Sequence, residues 1–321
     1  MSSLPVLADA SNAPAALAQE LAAAVAYAKA EKAPATRKAY ETDFRLFRAW
    51  CGAKGASALP ASPETLAAYL AHGAAEGAMV STLSRRVAAV RYAHKLASLP
   101  PPSDSEAVKA TLRGIRRTNG AAKVKKAPAV VTRIKAMVAM CPDTLTGKRD
   151  RALLLLGFGG AFRRSELVAL DVEHLEETAE GLRAFIARSK TDQEAEGATI
   201  AVARGSSVAC PVAAVRDWLD AAGINSGPVF RPINKAGAVS TARLTDRSVA
   251  NIVKAYAGLA GLDEKQFSGH SLRRGFLTSA AAAGKSIFRM MDVSRHKSVD
   301  TLRGYVQEAE LFKDHAGAGL L

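Results

Sequence analysis

Cysteine is scarce in this 321-residue chain: Cys51, Cys141 and Cys210 stand far apart, with no C-x-x-C spacing among them. That argues against a disulfide framework or a zinc site and fits a reducing compartment. The N-terminus lacks the basic start and apolar stretch of a secretory leader. Long hydrophobic runs are missing too. The longest, Ala152 to Phe162, has eleven residues, three of them glycine, about half of what a membrane span needs. A cytoplasmic protein with no membrane association is expected. Acidic charge is the third deficit: 30 Asp and Glu face 44 Lys and Arg, leaving a net +14. Such an excess favours a polyanionic partner, because phosphates attract Lys and Arg and release counterions on binding. Residues 1–127 hold 18 basic and 9 acidic side chains, against 26 and 21 in residues 128–321. The surplus is densest in the first 127.

The length suits two domains, each with its own core. Residues 1–32 read as a loose start with a weak alanine-rich helix, Leu17, Leu21 and Val25 being at helical spacing. From Thr36 the pattern strengthens, with Tyr40, Phe44, Phe47 and Cys51 on one helical face. Ser62 followed by Pro63 is an N-cap and first-turn proline, opening a helix through Leu66, Tyr69 and Leu70. Ser81 opens a third helix with Leu83, Val87 and Val90 inward. Ser103-x-x-Glu106 reads as a capping box ahead of a fourth, with Val108, Leu112 and Ile115 inward. Residues 33–117 therefore predict a small helical bundle. Its last two helices carry Arg85, Arg86, Arg91 and Lys95, then Lys109, Arg113, Arg116 and Arg117, away from the apolar stripes. Ordinary surfaces intersperse both signs, and these faces look almost free of acidic partners. A DNA-facing bundle is expected.

Residues 118–128 lack apolar periodicity and contain Lys123, Lys125 and Lys126, the composition of a linker tracking a phosphate backbone. A second domain follows over 129–321. Helical signals at 130–141 and 148–159 lead to Arg163-Arg164-Ser165-Glu166-Leu167 on another helix. Three short strand-like segments come next, near 170–174, 182–189 and 198–203, with Lys190 in a turn after the second. Helices resume at 211–222, 245–260, 271–283, 286–294 and 299–310. Arg243 and Arg247, around the start of the second of these, are candidate DNA contacts. The fold class expected is mainly α with a small three-stranded antiparallel sheet.

The chemistry is carried by Arg163, Lys190, His270, Arg273, His296 and Tyr305, taken in order. A phenol can attack a phosphodiester, two guanidiniums can clamp it bidentately, and an ammonium or imidazole can move protons. Ionising a free phenol at pH 7 costs roughly 4 kcal/mol, from a pKa near 10. Neighbouring guanidiniums and a histidine accepting the proton offset that. The leaving 5′-oxygen needs a general acid. Each role has a candidate without a metal or cofactor, and no carboxylate cluster competes for the chemistry.

The motifs resemble those of the tyrosine recombinases, the phage integrase family. Phe162-Arg163-Arg164-Ser165-Glu166-Leu167 is similar to the family's first box, with Phe where Leu is usual. Gly269-His270-Ser271-Leu272-Arg273-Arg274 is similar to the second, and Arg295-His296-Lys297-Ser298 with Tyr305-Val306 to its end. Ser189-Lys190-Thr191 resembles the family's hairpin lysine. The resemblance selects Arg163 over Arg164 and Arg273 over Arg274, and gives Glu166 a supporting role. It extends to Leu99–Val108 and Arg113–Arg117, which look like the core-binding domain of Cre-like members. With some thirty residues ahead of that domain, no arm-binding domain is expected.

The resemblance implies a C-shaped clamp on double-stranded DNA and a site-specific strand exchange at an inverted-repeat site. Cutting would proceed through a 3′-phosphotyrosine and a Holliday junction, with no ATP or metal. A homodimer would hold one site and a homotetramer two. The segment after Tyr305, with Leu311, Phe312, Leu320 and Leu321, would dock on the neighbouring protomer. Two rival readings stay open at this point. One is a type IB topoisomerase, which rejoins the same strand; the other is an architectural DNA-binding protein with a silent site.

Overall fold

The computed structural model describes residues 17–120, 126–187, 196–205 and 208–309. Contacts divide the chain into two compact units, Met1–Val124 and Lys125–Leu321. The expected loose start before residue 17, Lys123, Lys125, Lys190 and the tail from 310 lie outside the described residues. No described helix is long and apolar enough to cross a membrane.

The first unit contains helices α1 (Ala18–Ala30), α2 (Pro34–Ala53), α3 (Pro63–Ala75), α4 (Val80–Leu96) and α5 (Glu106–Asn119). The apolar face expected on α2 is the one that packs: Phe44, Phe47 and Cys51 are buried with Leu66, Tyr69 and Leu70 of α3. The rings of Phe47 and Tyr69 meet at 5.0 Å. Ser62 caps α3, its hydroxyl accepting from Thr65 N at 3.2 Å with Pro63 in the first turn. Buried His94 ties α4 to the approach of α3. One ring nitrogen accepts from Ala61 N and the other meets Val90 O, both at 2.9 Å.

Two caps differ from expectation. α4 starts at Val80, one residue before Ser81, with Met79 at the N-cap and no side-chain cap. The cap of α5 is Ser105, whose hydroxyl accepts from Ala107 N at 3.2 Å. Ser103 is instead buried in a 3₁₀ turn over Pro102–Asp104. Proline at the head of that turn sets the backbone there and displaces the helix start by two residues.

The second unit is built around α7 (Leu145–Gly159). Leu153, Leu154, Leu155 and Leu156 are all buried, so this helix is covered on every side, as an all-round apolar helix must be. Around it lie α6 (Val131–Ala139), α8 (Arg164–Ala169), α9 (Pro211–Ala222), α10 (Asp246–Leu259) and α11 (His270–Ala282), while α12 (Ile287–Ser294) and α13 (Val299–Ala309) pack on α11 and on each other. Three antiparallel strands, β1 (Leu175–Glu177), β2 (Gly181–Ile186) and β3 (Ala198–Ala203), pair in the order β1-β2-β3. Leu182, Ala184 and Ile186 face the core with Ile200 and Val202, while Arg183 and Phe185 face out. The first strand lies later than the expected 170–174. Asp171 N donates to His174 Nδ1 at 3.1 Å, closing a 3₁₀ turn over Val172–His174 that delays pairing until Leu175.

Candidate active site

Gly157 sets the approach of three helices. A Cβ there would meet the Leu272 side chain at 2.7 Å and that of Leu167 at 3.0 Å, so glycine lets α11 and α8 close on α7 without displacing those two leucines. α7 then ends in Gly159-Gly160-Ala161, and Ala161 turns the chain with φ +45°. Arg163 follows as the N-cap of α8. Glu166, three residues on, reaches back: one carboxylate oxygen accepts from Arg163 N at 2.8 Å and the other from Arg163 Nη1 at 2.6 Å. The spacing is that of a capping box, with the catalytic candidate as the capped residue. Neighbouring Arg164 is engaged elsewhere, 3.0 Å from Asp246 at the head of α10.

Arg273 projects from the first turn of α11 and is buried, with 5% of its surface exposed. Its Nη1 donates to Ala161 O at 2.7 Å and its Nη2 to Ser294 O. Burial, then the like charges of Arg163 and Arg295, push it down to about 9, which leaves it protonated at neutral pH. His296 follows the left-handed residue Arg295 that ends α12. The Ser294 hydroxyl donates to Met290 O at 2.6 Å and lies 2.8 Å from His296 Nδ1. With the single hydroxyl proton committed to Met290, Nδ1 carries the imidazole proton and Nε2 is the acceptor. Burial and the nearby Arg273, Arg163 and Arg295 hold His296 down to about 4.

Tyr305 lies one turn after buried Leu302 on α13 and packs on the cluster of Leu277, Ala281 and Met290. Arg274 sits 6.0 Å over its ring, and its phenol couples electrostatically to Arg273. His270 opens α11 one turn before Arg273 and is exposed. The structure thus brings Arg163, Glu166, Arg273, His296 and Tyr305 into one region, and adds Arg295. Arg295 Nη2 lies 2.6 Å from Glu166. In the sequence Arg295 stands beside His296 with no role attached to it. Burial pushes the Glu166 carboxyl up, but Arg295 and Arg163 outweigh it and hold it below the usual range. Three guanidiniums around one carboxylate leave a buried surplus of positive charge, suited to an anion. Among the described residues, no group of three His, Cys, Asp or Glu side chains could hold a metal.

The basic faces of the first unit are less bare than they looked. Arg85 pairs with buried Asp43 at 2.6 Å, Arg91 with Asp104 at 2.6 Å, and Arg113 with Glu106. Arg86 stacks 5.5 Å over Tyr69, and Arg116 donates to Ser84 at 3.3 Å. Lys95, Lys109 and Arg117 are exposed. In the second unit, Lys126 donates to Lys265 O at 2.6 Å. Arg243, with 36% of its side chain exposed, is braced against the fold: it donates to Val168 O at 2.7 Å, Leu170 O at 3.1 Å and Asp171 at 2.6 Å. Arg247, in the first turn of α10, is exposed.

Two family matches cover most of the chain: the phage integrase family over residues 131–311, and the phage integrase N-terminal SAM-like domain over residues 25–98. An integrase/recombinase xerD homolog of Selenomonas ruminantium is 42% identical over 290 residues, 89% of this chain and 85% of that protein. The recombinase cre of Escherichia phage P1 is 26% identical, over 83% of this chain and 82% of that one. In fold, the chain is similar to the Tn1549 transposon integrase solved with transposon right end DNA, with a TM-score of 0.61, 14% identity, and 91% and 97% of the two chains covered. Motif order, site geometry and relatives agree, and the chain belongs to the phage integrase family, the tyrosine recombinases.

Proposed function

We propose that the chain cuts and rejoins double-stranded DNA at an inverted-repeat site, with Tyr305 as nucleophile. The observation that carries this is the cluster of buried Arg273 with the largely buried side chains of Arg163 and Arg295 about the carboxylate of Glu166. A phosphodiester brings one negative charge, and its pentacoordinate transition state develops a second. A preformed surplus of guanidinium charge in a buried pocket stabilises the second more than the first, which is what lowers a barrier.

The Tyr305 oxygen attacks phosphorus, the bond to the 5′-oxygen breaks, and a 3′-phosphotyrosine forms. Arg163 and Arg273 hold the non-bridging oxygens. His270 accepts the phenol proton, and His296, whose Nε2 is unprotonated in the free site, takes up a proton as the phosphate's charge enters and then donates from Nε2 to a non-bridging oxygen. Lys190, which falls in sequence between β2 and β3, protonates the leaving 5′-oxygen. The 5′-hydroxyl of the partner strand then attacks phosphorus and gives its proton to Lys190, the bond from phosphorus to the Tyr305 oxygen breaks, and His270 returns a proton to the departing phenolate, which restores both groups. Energy is conserved in the phosphotyrosine bond, so neither ATP nor metal is required.

Lys95, Lys109, Arg116, Arg117, Lys123, Lys125 and Lys126 contact phosphates along the duplex, and Arg247 reads base edges. The protein acts in the cytoplasm, as a dimer on one site and a tetramer across two. The segment from 310 onward docks on the neighbouring protomer. A groove of about 370 Å³ lined by Phe158, Phe276, Ala280, Met290 and Val293, with Lys285 and Arg289 beside it, fits that apolar segment. A nicked suicide duplex tests the proposal. The wild-type chain should accumulate a covalent 3′ adduct and yield exchanged strands from mixed sites, and Tyr305→Phe should bind the duplex without forming adduct. An adduct in Tyr305→Phe would move the nucleophile elsewhere, and adduct without strand exchange would favour a topoisomerase.

A further inference from the structure

Three described residues other than glycine have positive φ: Ser98, Ala161 and Arg295. Two of them flank the active site. Ala161 lies two residues before Arg163, and Arg295 immediately precedes His296. A left-handed backbone crowds Cβ against the carbonyl and persists only where surrounding contacts over-determine it.

Those contacts can be named. Arg295 N donates to Met291 O at 2.6 Å, which closes α12. Its side chain is 11% exposed, with Nη2 2.6 Å from Glu166 Oε2. Nη1 donates to Val293 O at 2.7 Å and to Gly160 O at 3.5 Å, and the guanidinium lies 5.6 Å over the Phe162 ring. Its Nε is buried without a partner among the described residues. The position therefore combines an unfavourable backbone, an unsatisfied N–H and a buried charge. The strong bond in the set is the one to Glu166.

Glu166 is the hub between two guanidiniums. Oε1 takes Arg163 Nη1, while Oε2 takes both Arg163 N and Arg295 Nη2. Gripped at both oxygens, the carboxylate cannot turn about its terminal bond, so Arg163 Nη1 has a fixed acceptor. Arg295 also offsets the charge of Glu166, which would otherwise cancel that of Arg163. Arg273 fastens the same two left-handed turns from the other side, through Ala161 O and Ser294 O.

We infer that Arg295 is a positioning residue for strand cleavage: it clamps Glu166, through which it holds Arg163 ready for the phosphate, and its left-handed backbone places His296 beside Arg273. The inference rests on the recombinase reading for its kinetic consequence, but the clamp itself is visible without DNA.

Arg295→Gly relieves the backbone and deletes the guanidinium. Arg295→Lys keeps a charge without the fork. Glu166→Gln removes the charge that Arg295 holds, and the double variant Arg295→Gly with Glu166→Gln removes both members of that pair together while leaving Arg163 an amide oxygen as acceptor, which serves as the folded reference. The probe is the duplex that the wild-type chain selects from a random-sequence pool, synthesised with a nick near the scissile phosphate. Arg295→Gly and Arg295→Lys should bind it like wild type and form adduct about tenfold or more slowly, as expected for a displaced reacting group. The double variant should be no slower than the worse single, because both act through one link. Arginine side-chain NMR of the free proteins should show the Arg163 guanidinium protons resolved in wild type and averaged in Arg295→Gly. Wild-type adduct rates in Arg295→Gly, additive losses in the double variant, or Arg163 signals unchanged by the substitution would each overturn the inference. Wild type forming no adduct would sink the recombinase reading, and the NMR result would then decide the clamp alone.

Discussion

Replacing Arg273 by lysine keeps the positive charge and removes the planar fork. In the structure that fork makes two hydrogen bonds to backbone carbonyls, Ala161 O at 2.7 Å and Ser294 O, from a side chain with 5% exposure. Each charge-assisted bond of this kind contributes about 1.5–3 kcal/mol, and a carbonyl left unpaired in the interior adds to the loss. Lysine can replace one of the two. The net cost is about 2–3 kcal/mol, with a weakly hydrated guanidinium replaced by a more strongly hydrated ammonium in the interior. A unit of this size moves roughly 2–4 °C per kcal/mol, so melting should fall by about 4–12 °C. Cleavage should fall further. A preorganised donor facing developing charge is worth about 10²–10³ in rate, and lysine cannot supply two donors in one plane. Because net charge is unchanged, duplex affinity and its salt slope should stay near wild type. Thermal melting, salt-dependent binding and single-turnover adduct formation measure the three quantities separately. If Arg273→Lys cleaves within about tenfold of wild type, the fork is dispensable and a point charge suffices, against the argument made here for Arg273.

Three further outcomes are expected. His296 is held down to about 4 against an ordinary 6.5, so the unfolded chain binds its proton first and stability, whole above pH 6.5, declines as pH falls from 6.5 towards 4. His296→Asn should flatten that stretch of the melting-temperature curve, and an unchanged slope would refute the assignment. Arg247→Ala should relax base preference at one or two positions, by about 1–3 kcal/mol of discrimination, while Lys125→Ala weakens all sequences alike; equal loss across sequences for both would make Arg247 a phosphate contact. Deleting residues 309–321 should leave single-site affinity nearly intact and weaken dimer cooperativity and synapsis, whereas normal recombination by the truncated chain would remove the tail as the interprotomer latch.

The apolar periodicity of α2 and the Ser62-Pro63 start of α3 were legible because both depend on residues a few positions apart. The same holds for Arg163 and Glu166, whose spacing of three is enough to close a capping box. What was illegible depends on distance along the chain or on backbone angles. Asp43 lies 42 positions from Arg85, so the basic face of α4 read as unpaired when it is braced. Arg243 bonds Val168 O some 75 positions away, and no local pattern announces that. The cap of α5 could have fallen on Ser103 or Ser105, and the prolines ahead of them decided it through geometry rather than side-chain chemistry.

Arg295 shows the limit most clearly. It stood in plain view next to His296, yet its place in the site follows from φ +57° and from Glu166, 129 positions earlier. A sequence motif records which side chains are present, and Arg163, Arg273 and His296 were found that way. It does not record which of them the fold holds still. That information sits in the two left-handed turns and the bonds that fasten them, Arg273 to Ala161 O and Ser294 O, and Arg295 to Glu166 and Gly160 O. A phosphate clamp gains its rate from charge already in place when the transition state forms. The residues that keep it in place therefore belong to the chemistry as much as those that touch the phosphate, and they are the part that only the folded chain reveals.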